Sequence, residues 1–362
     1  MYTIFNIRPV GFNIGNDAIH LGIRSFLEKA LDSHVNLITI PAVSHYESHA
    51  KAGLTARTIF EINQFGDGVI VGGGNLFENG EISVSPQALP SLEPPLMIYS
   101  VSRGRIYNRR MELVDRTDVI TDHVLKALSE RADLSYLRDQ ATVDYLHSIG
   151  CTKTRLGGCP TIFLNQIKSQ LPPLSPEMQN EVLISIRNPN LMNIPLGLQA
   201  RVRDDLQRLI RLCQERFDKP VRLLCHDHRD IPFAASLGQI EYIYTSDIYY
   251  YLSLLANTFL NVSYRLHATL PTLSFGKPSV SIVYDERASS LFQTLGLEDF
   301  YVDINTSSDI CEDVIQKSEA LLSNNDLMSQ LPEKWAKFQD ISETAFGGFA
   351  QRVRDYQASC TY

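Results

Sequence analysis

"SYRLHATLPTLSFGKPSVSIVYDER", residues 263–287, reads as the end of an apolar strand, a helix, a Gly-Lys-Pro turn and a second strand that ends in charge. A strand joined to the next strand through a helix is the repeating unit of a parallel sheet with helices on its faces. The same stretch places Arg265 and His267 at the switch from strand to helix.

Working outward, the alternation recurs. Short β-branched runs "YTIFNI" (2–7), "VNLITI" (35–40), "DGVIVGG" (67–73), "PLMIYSVS" (95–102), "DVIT" (118–121) and "LSYLRD" (134–139) are separated by amphipathic stretches, as in a mostly parallel sheet. The pattern breaks at "QIKSQLPPLSPEMQ" (166–179), where three prolines and polar residues deny helix and strand alike. It restarts with "EVLISIRN" (181–188), a long helix around 198–217, then "VRLLCHD", "IEYIYTS", "TFLNVSY" and "PSVSIVYD". The expectation is two Rossmann-like α/β domains, 1–168 and 180–325, a linker at 169–179, and terminal helices at 326–362 that pack back on the first domain.

The totals narrow the function classes. A chain of 362 residues with 44% hydrophobic and 20% charged residues is an ordinary globular one, long enough for two cores. Its formal net charge of -8, from 33 Lys+Arg against 41 Asp+Glu, argues against broad attraction to nucleic acid or anionic lipid. An anionic ligand would need a local cluster of arginines. The 6 cysteines show no C-x-x-C pair and read as reduced cytosolic thiols. No apolar run reaches the roughly 20 residues of a membrane span, and the first residues lack the pattern of a secretory signal. A cytoplasmic protein is expected.

In open α/β sheets ligands bind beyond the carboxyl ends of strands, where loops diverge and helix N-termini point donors into the crevice. That rule selects Asn13 to Asp17, Gly72 to Glu78, Ser102 with Arg103, Arg138 with Asp139, Arg187 with Asn188, the loop "CHDHRD" (225–230), Arg265 to His267, and Asp285 to Arg287. Gly73, Gly74 and Asn75 lie in a triple-glycine turn whose N–H groups can form an anion nest, or simply make a tight turn. Arg138, Arg187, Arg265 and Arg287 recur at strand ends, either facing one cleft or each paired with a neighbouring carboxylate such as Asp139, Asp285 or Glu286. His267, at a helix start whose positive end lowers its pKa, is a general acid/base candidate or a structural histidine. His226 and His228 in "CHDHRD", and His45 and His49 in "HYESH", lack the distant further ligand that a zinc site draws on. The first reads better as a cleft loop, the second as solvated surface; no metal is expected.

Together "NIGNDAI", "GVIVGGGNLF", "LSYLRDQATVDYLHSIG", "VLISIRN" and "SYRLHATLPTLSFGKPSVSIVYDERASSLFQTLGL" occur in the order found in the polysaccharide pyruvyltransferase family, which this chain resembles from residue 11 to about 300. The resemblance implies a GT-B-like pair of Rossmann-type domains with parallel sheets facing a central cleft. It implies transfer of the pyruvyl group of phosphoenolpyruvate to two hydroxyls of a sugar, as a cyclic ketal with release of phosphate and no cofactor. Arg265 and Leu266 then bind phosphoenolpyruvate and His267 is the acid/base; Arg187, Arg138, Arg287, Asn16, Asp17, Gly73, Gly74 and Asn75 complete the substrate site. The acceptor can be lipid-linked, which would bring the protein peripherally to the inner membrane face. Three departures stand out: Arg287 where lysine is common, Cys159 where many relatives have aspartate, and "IYSVSRGRIY" without the Gly-rich turn. Two alternatives share the fold, a nucleotide-sugar glycosyltransferase and a non-catalytic scaffold whose arginines are locked in internal ion pairs.

Overall fold

The computed structural model describes residues 1–11, 13–43, 51–78 and 82–360; His45 and His49 lie outside them. Strands β1 (Tyr2–Arg8), β2 (Val35–Pro41), β3 (Gly68–Gly74), β4 (Leu96–Val101), β7 (Leu134–Leu137) and β8 (Arg155–Leu156) form one parallel sheet in the order β2-β1-β3-β4-β7-β8. Strands β9 (Val182–Ile186), β10 (Val221–Cys225), β11 (Tyr242–Tyr244), β12 (Leu260–Ser263), β13 (Ser279–Val283) and β14 (Tyr301–Asp303) form a second, in the order β11-β10-β9-β12-β13-β14. Every residue of β3, β4, β9, β12 and β13 is buried, which is why β3, β4 and β9 read as nearly continuous apolar runs, while the buried polar side chains of β9, β12 and β13 pair with one another, as Ser185 does with Asn261 and Asn261 with Ser279.

Most connections are helical: α1 (Gly15–Leu31), α2 (Ala56–Phe65), α3 (Asp122–Arg131) and α4 (Gln140–Ser148) in the first lobe, and α5 (Leu196–Phe217), α6 (Ile231–Ala235), α7 (Ile248–Ala256), α8 (Leu266–Ser274), α9 (Glu286–Thr294) and α10 (Ile310–Ser323) in the second. Where a helix must start abruptly after a strand, an aspartate caps it: Asp139 accepts from Thr142 N–H, Asp247 from Tyr249 N–H, and Asp285 from Ala288 N–H. A short α11 (Asn325–Ser329) leads into α12 (Leu331–Cys360), which lies on the first lobe. There Phe346 stacks on Phe26 at 5.5 Å and meets Tyr99 edge-on at 4.8 Å. The Tyr99 hydroxyl and Ser342 Oγ are 2.7 Å apart.

Two local readings need correction. "DVIT" is no strand: Ile120 N–H bonds to Phe77 O in the loop after β3, and Thr121 stands at the start of α3, so the backbone here is committed to a loop and a helix rather than to either sheet. The small antiparallel pair β5 (Ile106–Tyr107) and β6 (Leu113–Val114) stands in this region instead. The proline-rich break also begins inside ordered structure, since Pro160–Gln170 forms a 3₁₀ run whose Ile162, Leu164 and Ile167 are buried.

That run and α1 tie the lobes together. Ile14, Ala18, Leu21, Leu164 and Ile167 of the first lobe share one hydrophobic cluster with Leu224, Tyr251, Leu252, Leu255 and Ala268 of the second. Burial of each large side chain there stabilises the junction by about 1.5–3 kcal/mol. Ile14 N–H also bonds to His226 O across the lobes, at 3.2 Å. All six cysteines are free thiols and five are buried. Among the described residues no helix is long and apolar enough to cross a membrane.

Candidate active site

In each sheet the strand order reverses beside its first strand, between β1 and β3 in one lobe and between β9 and β12 in the other. Such switch points open a crevice at the carboxyl ends of the strands. Here the two crevices face each other across a cavity of about 760 Å³, within the range of small-molecule sites. Its walls include Asn13, Asn16, Gly74, Asn75 and Arg138 from the first lobe and Arg187, His226, Arg265, Leu266, His267 and Arg287 from the second. The four strand-end arginines and the histidine thus meet in one place.

Arg265 follows β12 and is only 7% exposed. Its Nε–H donates to Ile186 O at 3.0 Å, and its Nη2 pairs with the buried carboxylate of Asp230. The described residues offer Nη1 no protein acceptor, so this face of the fork is open to the cavity. Arg187 follows β9, donates from Nε and Nη2 to Leu191 O, and lies 4.0 Å from Asp227. Burial, and then the neighbouring Arg265, lowers its pKa to about 10. A guanidinium whose charge is disfavoured by burial and by a second guanidinium beside it marks a place prepared for an anion.

From the first lobe Arg138 donates to Ser102 Oγ, while its Nε is buried without a hydrogen-bond partner and lies 3.8 Å from Asp139. Arg287 reaches back across the cleft to Glu78 at 3.5 Å and pairs with Asp285 through Nε and Nη2. The stem of Arg287 lies where a side chain on residue 104 would project, a Cβ there meeting Cγ at 2.3 Å, so Gly104 is required for this inter-lobe contact. The ion pairs weighed from sequence are therefore real for Arg265 and Arg287. Asp285 is the near neighbour anticipated for Arg287, whereas the partner of Arg265 is Asp230, 35 positions away.

His267 stands at a kink at the start of α8, with φ -87 and ψ 19. Its pKa is lowered to about 3 by burial, then by Arg138 and Arg287. At rest it is a neutral base. Beneath it the Tyr251 hydroxyl donates to His267 O at 2.9 Å and lies 2.9 Å from His226 Nε2. The "CHDHRD" loop is accordingly built into the cleft: His226 lines it, Asp230 holds Arg265, and Asp227 accepts from Arg229. Among the described residues no group of three His, Cys, Asp or Glu could hold a metal.

Two residues proposed from sequence stand off the cavity wall. Asp17 pairs with Arg8 at 2.7 Å. Gly73, at φ +82, lets α1 close on β3, since a Cβ there would meet Ile19 Cγ2 at 2.2 Å. Glu78 and Asp230 fall within the strand-end ranges selected from sequence, but as partners of Arg287 and Arg265 they emerge only from the structure. Glu78 is fully buried, and burial raises its carboxyl to about 7 against the opposing pull of Arg287.

These titrations carry a stability prediction. His20, lowered to about 4 by burial and then Arg8, joins His267 at about 3 and His226, which burial holds well below 6.5. The unfolded chain protonates all three near 6.5, so it binds more protons than the folded chain below that pH, and stability falls as pH falls through the window. Glu78 acts oppositely, losing stability as pH rises from 4.5 through about 7. Asp139 and Asp205, whose carboxyls burial raises, act with Glu78, but the three histidines are held uncharged through most of the range and outweigh them, so Tm should drop on acidification from pH 6.5 to 4.5. A flat or rising Tm in differential scanning calorimetry over that range would contradict the assignment.

Comparison with known proteins places these features. A family model described as polysaccharide pyruvyl transferase matches residues 13–286. No curated protein matches the sequence. Among solved structures, S. aureus MnaA with UDP is 16% identical, with 98% of this chain and 95% of that chain covered, at a TM-score of 0.57. A putative UDP-N-acetylglucosamine 2-epimerase from Listeria monocytogenes is 13% identical over 97% of this chain and 94% of that chain, at 0.56. The UDP-N-acetylglucosamine 2-epimerase of Rickettsia bellii is 14% identical over 99% and 96%, at 0.55. At these identities the likeness is one of fold, the GT-B arrangement of two parallel-sheet lobes.

Proposed function

Because the chain belongs to the polysaccharide pyruvyl transferase family, we propose that it moves the pyruvyl group of phosphoenolpyruvate onto two hydroxyls of a sugar, forming a cyclic ketal and releasing phosphate. The observation that carries this reading is the convergence of Arg138, Arg187, Arg265 and Arg287 with a neutral His267 around one cavity. Guanidiniums suit a small donor bearing both phosphate and carboxylate. The side chains of Asn13, Asn16, Asn75, Asn190 and Asn193 on the same walls suit a hydroxyl-rich acceptor without added charge.

The chemistry balances on one imidazole. Neutral His267 takes the proton of the first sugar hydroxyl and delivers it to C3 of the enol phosphate, which makes C2 electrophilic as that oxygen attacks. The second hydroxyl then displaces phosphate from C2, and its proton leaves with the phosphate. Arginines facing the phosphate stabilise the departing charge, each well-placed donor contributing about 3 kcal/mol. The entering anion also offsets the positive field of Arg138 and Arg287, raising the basicity of His267 when it is needed.

Thermal shift tests the donor. Phosphoenolpyruvate at a hundredfold excess over its Kd should stabilise the protein by about 2.7 kcal/mol, raising Tm by several degrees. Stabilisation by UDP- or GDP-sugars with none by phosphoenolpyruvate would replace this reading by the glycosyltransferase one, which the fold equally accommodates. Stabilisation by neither would favour the scaffold. Mass spectrometry of free and lipid-linked sugars incubated with phosphoenolpyruvate then identifies the acceptor through its pyruvyl ketal.

A further inference from the structure

The imidazole of His267 is held from below by a thiol. Its Nε2 lies 3.7 Å from Sγ of Cys159, and that sulfur lies 3.1 Å from Oγ1 of Thr161. Cys159 is 1% exposed and Thr161 fully buried. Cys159 caps the 3₁₀ run Pro160–Gln170, which packs against α8, the helix that carries His267. On its other side the ring meets the start of α1, where a Cβ on Gly15 would stand 2.9 Å from His267 Cβ and 3.1 Å from Nδ1. The ring is therefore confined between a sulfur and a glycine, and the two nitrogens are not equivalent.

We propose that Cys159 is the positioning residue of His267: its sulfur accepts the Nε2–H, leaving Nδ1 as the nitrogen that takes and returns protons in the cleft. The inference rests on the reading of His267 as acid/base. The hydrogen bonds form a chain, Nε2–H to Sγ and S–H to Thr161 Oγ1, in which the sulfur accepts one proton and donates its own. Burial pushes the Cys159 thiol up, so it keeps its proton and stays neutral. A neutral sulfur orients the ring without raising its basicity, whereas a carboxylate in its place would stabilise the imidazolium. His267 then stays uncharged until an anionic donor arrives, which links protonation of the catalytic base to occupancy of the site.

Nitrogen-15 NMR of the full-length protein labelled at the histidine rings reads the tautomer directly, with His267 assigned by its absence in H267Q. The wild type at pH 7 should show the Nε2–H form, C159S should keep it, and C159A should give a mixture. C159D should shift the acidic limb of the kcat profile upward by at least one pH unit. An Nδ1–H tautomer in the wild type would overturn the proposal without any variant, as would an unchanged tautomer in C159A. Full turnover in H267A would instead remove the functional reading while leaving the tautomer result standing.

Discussion

Alanine at position 267 is expected to lower kcat by about 10²–10⁴-fold, the usual contribution of a positioned acid/base, without unfolding the protein. The expectation of an intact fold follows from the contacts. Among the described residues the one side-chain hydrogen bond of His267 is the long one to Cys159 Sγ, which keeps Thr161 as a partner, and the Tyr251 hydroxyl bonds to the backbone carbonyl that alanine retains. Stability at acid pH should even rise, because a histidine held to about 3 costs the folded state wherever the unfolded chain is protonated. Phosphoenolpyruvate should still raise Tm, since its proposed grip comes from arginines. The assays are steady-state phosphate release and thermal shift on the same preparation. Turnover within threefold of the wild type would end the role assigned to the imidazole.

Arg265→Ala is expected to act on both binding and stability, and the two effects can be separated. Removing one member of a buried ion pair leaves Asp230 uncompensated in a site where that carboxylate is fully buried, at a cost of about 3–5 kcal/mol. The same change removes the open Nη1 and a positive charge from the cavity. Loss of one charge-assisted contact to a donor corresponds to about 1.5–3 kcal/mol, or roughly a 10–150-fold rise in the KM for phosphoenolpyruvate. The paired variant Arg265→Met with Asp230→Asn should recover much of the stability, because no unpaired charge remains, yet keep the raised KM. Recovery of donor affinity along with stability would show that Arg265 serves the fold alone, as a scaffold would require.

The architecture was legible because short β-branched runs such as "GVIVGGG" and "LMIYSV" recur between amphipathic helical stretches, and helices between such runs leave little choice but a parallel sheet. The arginines and His267 were legible for a related reason: strand ends can be found from the runs, and crevices open at strand ends. What one dimension hides is partnership. Asp230 meets Arg265 and Glu78 meets Arg287 across 35 and 209 positions, and no local pattern distinguishes these carboxylates from solvated ones. Gly15 and Gly104 are similarly silent, since the reason for glycine is the His267 ring in one case and the Arg287 stem in the other. "DVIT" misled because its composition suits a strand while both sheets are already complete without it.

The hydrophobic cluster that α1 and the 3₁₀ run share with α7 and α8 bears on how substrates travel. Swinging the halves apart would expose that apolar surface to water, so a rigid-body opening of the cleft costs free energy in proportion to the area uncovered. A ligand entering the cavity therefore meets walls whose separation is set in advance by the junction.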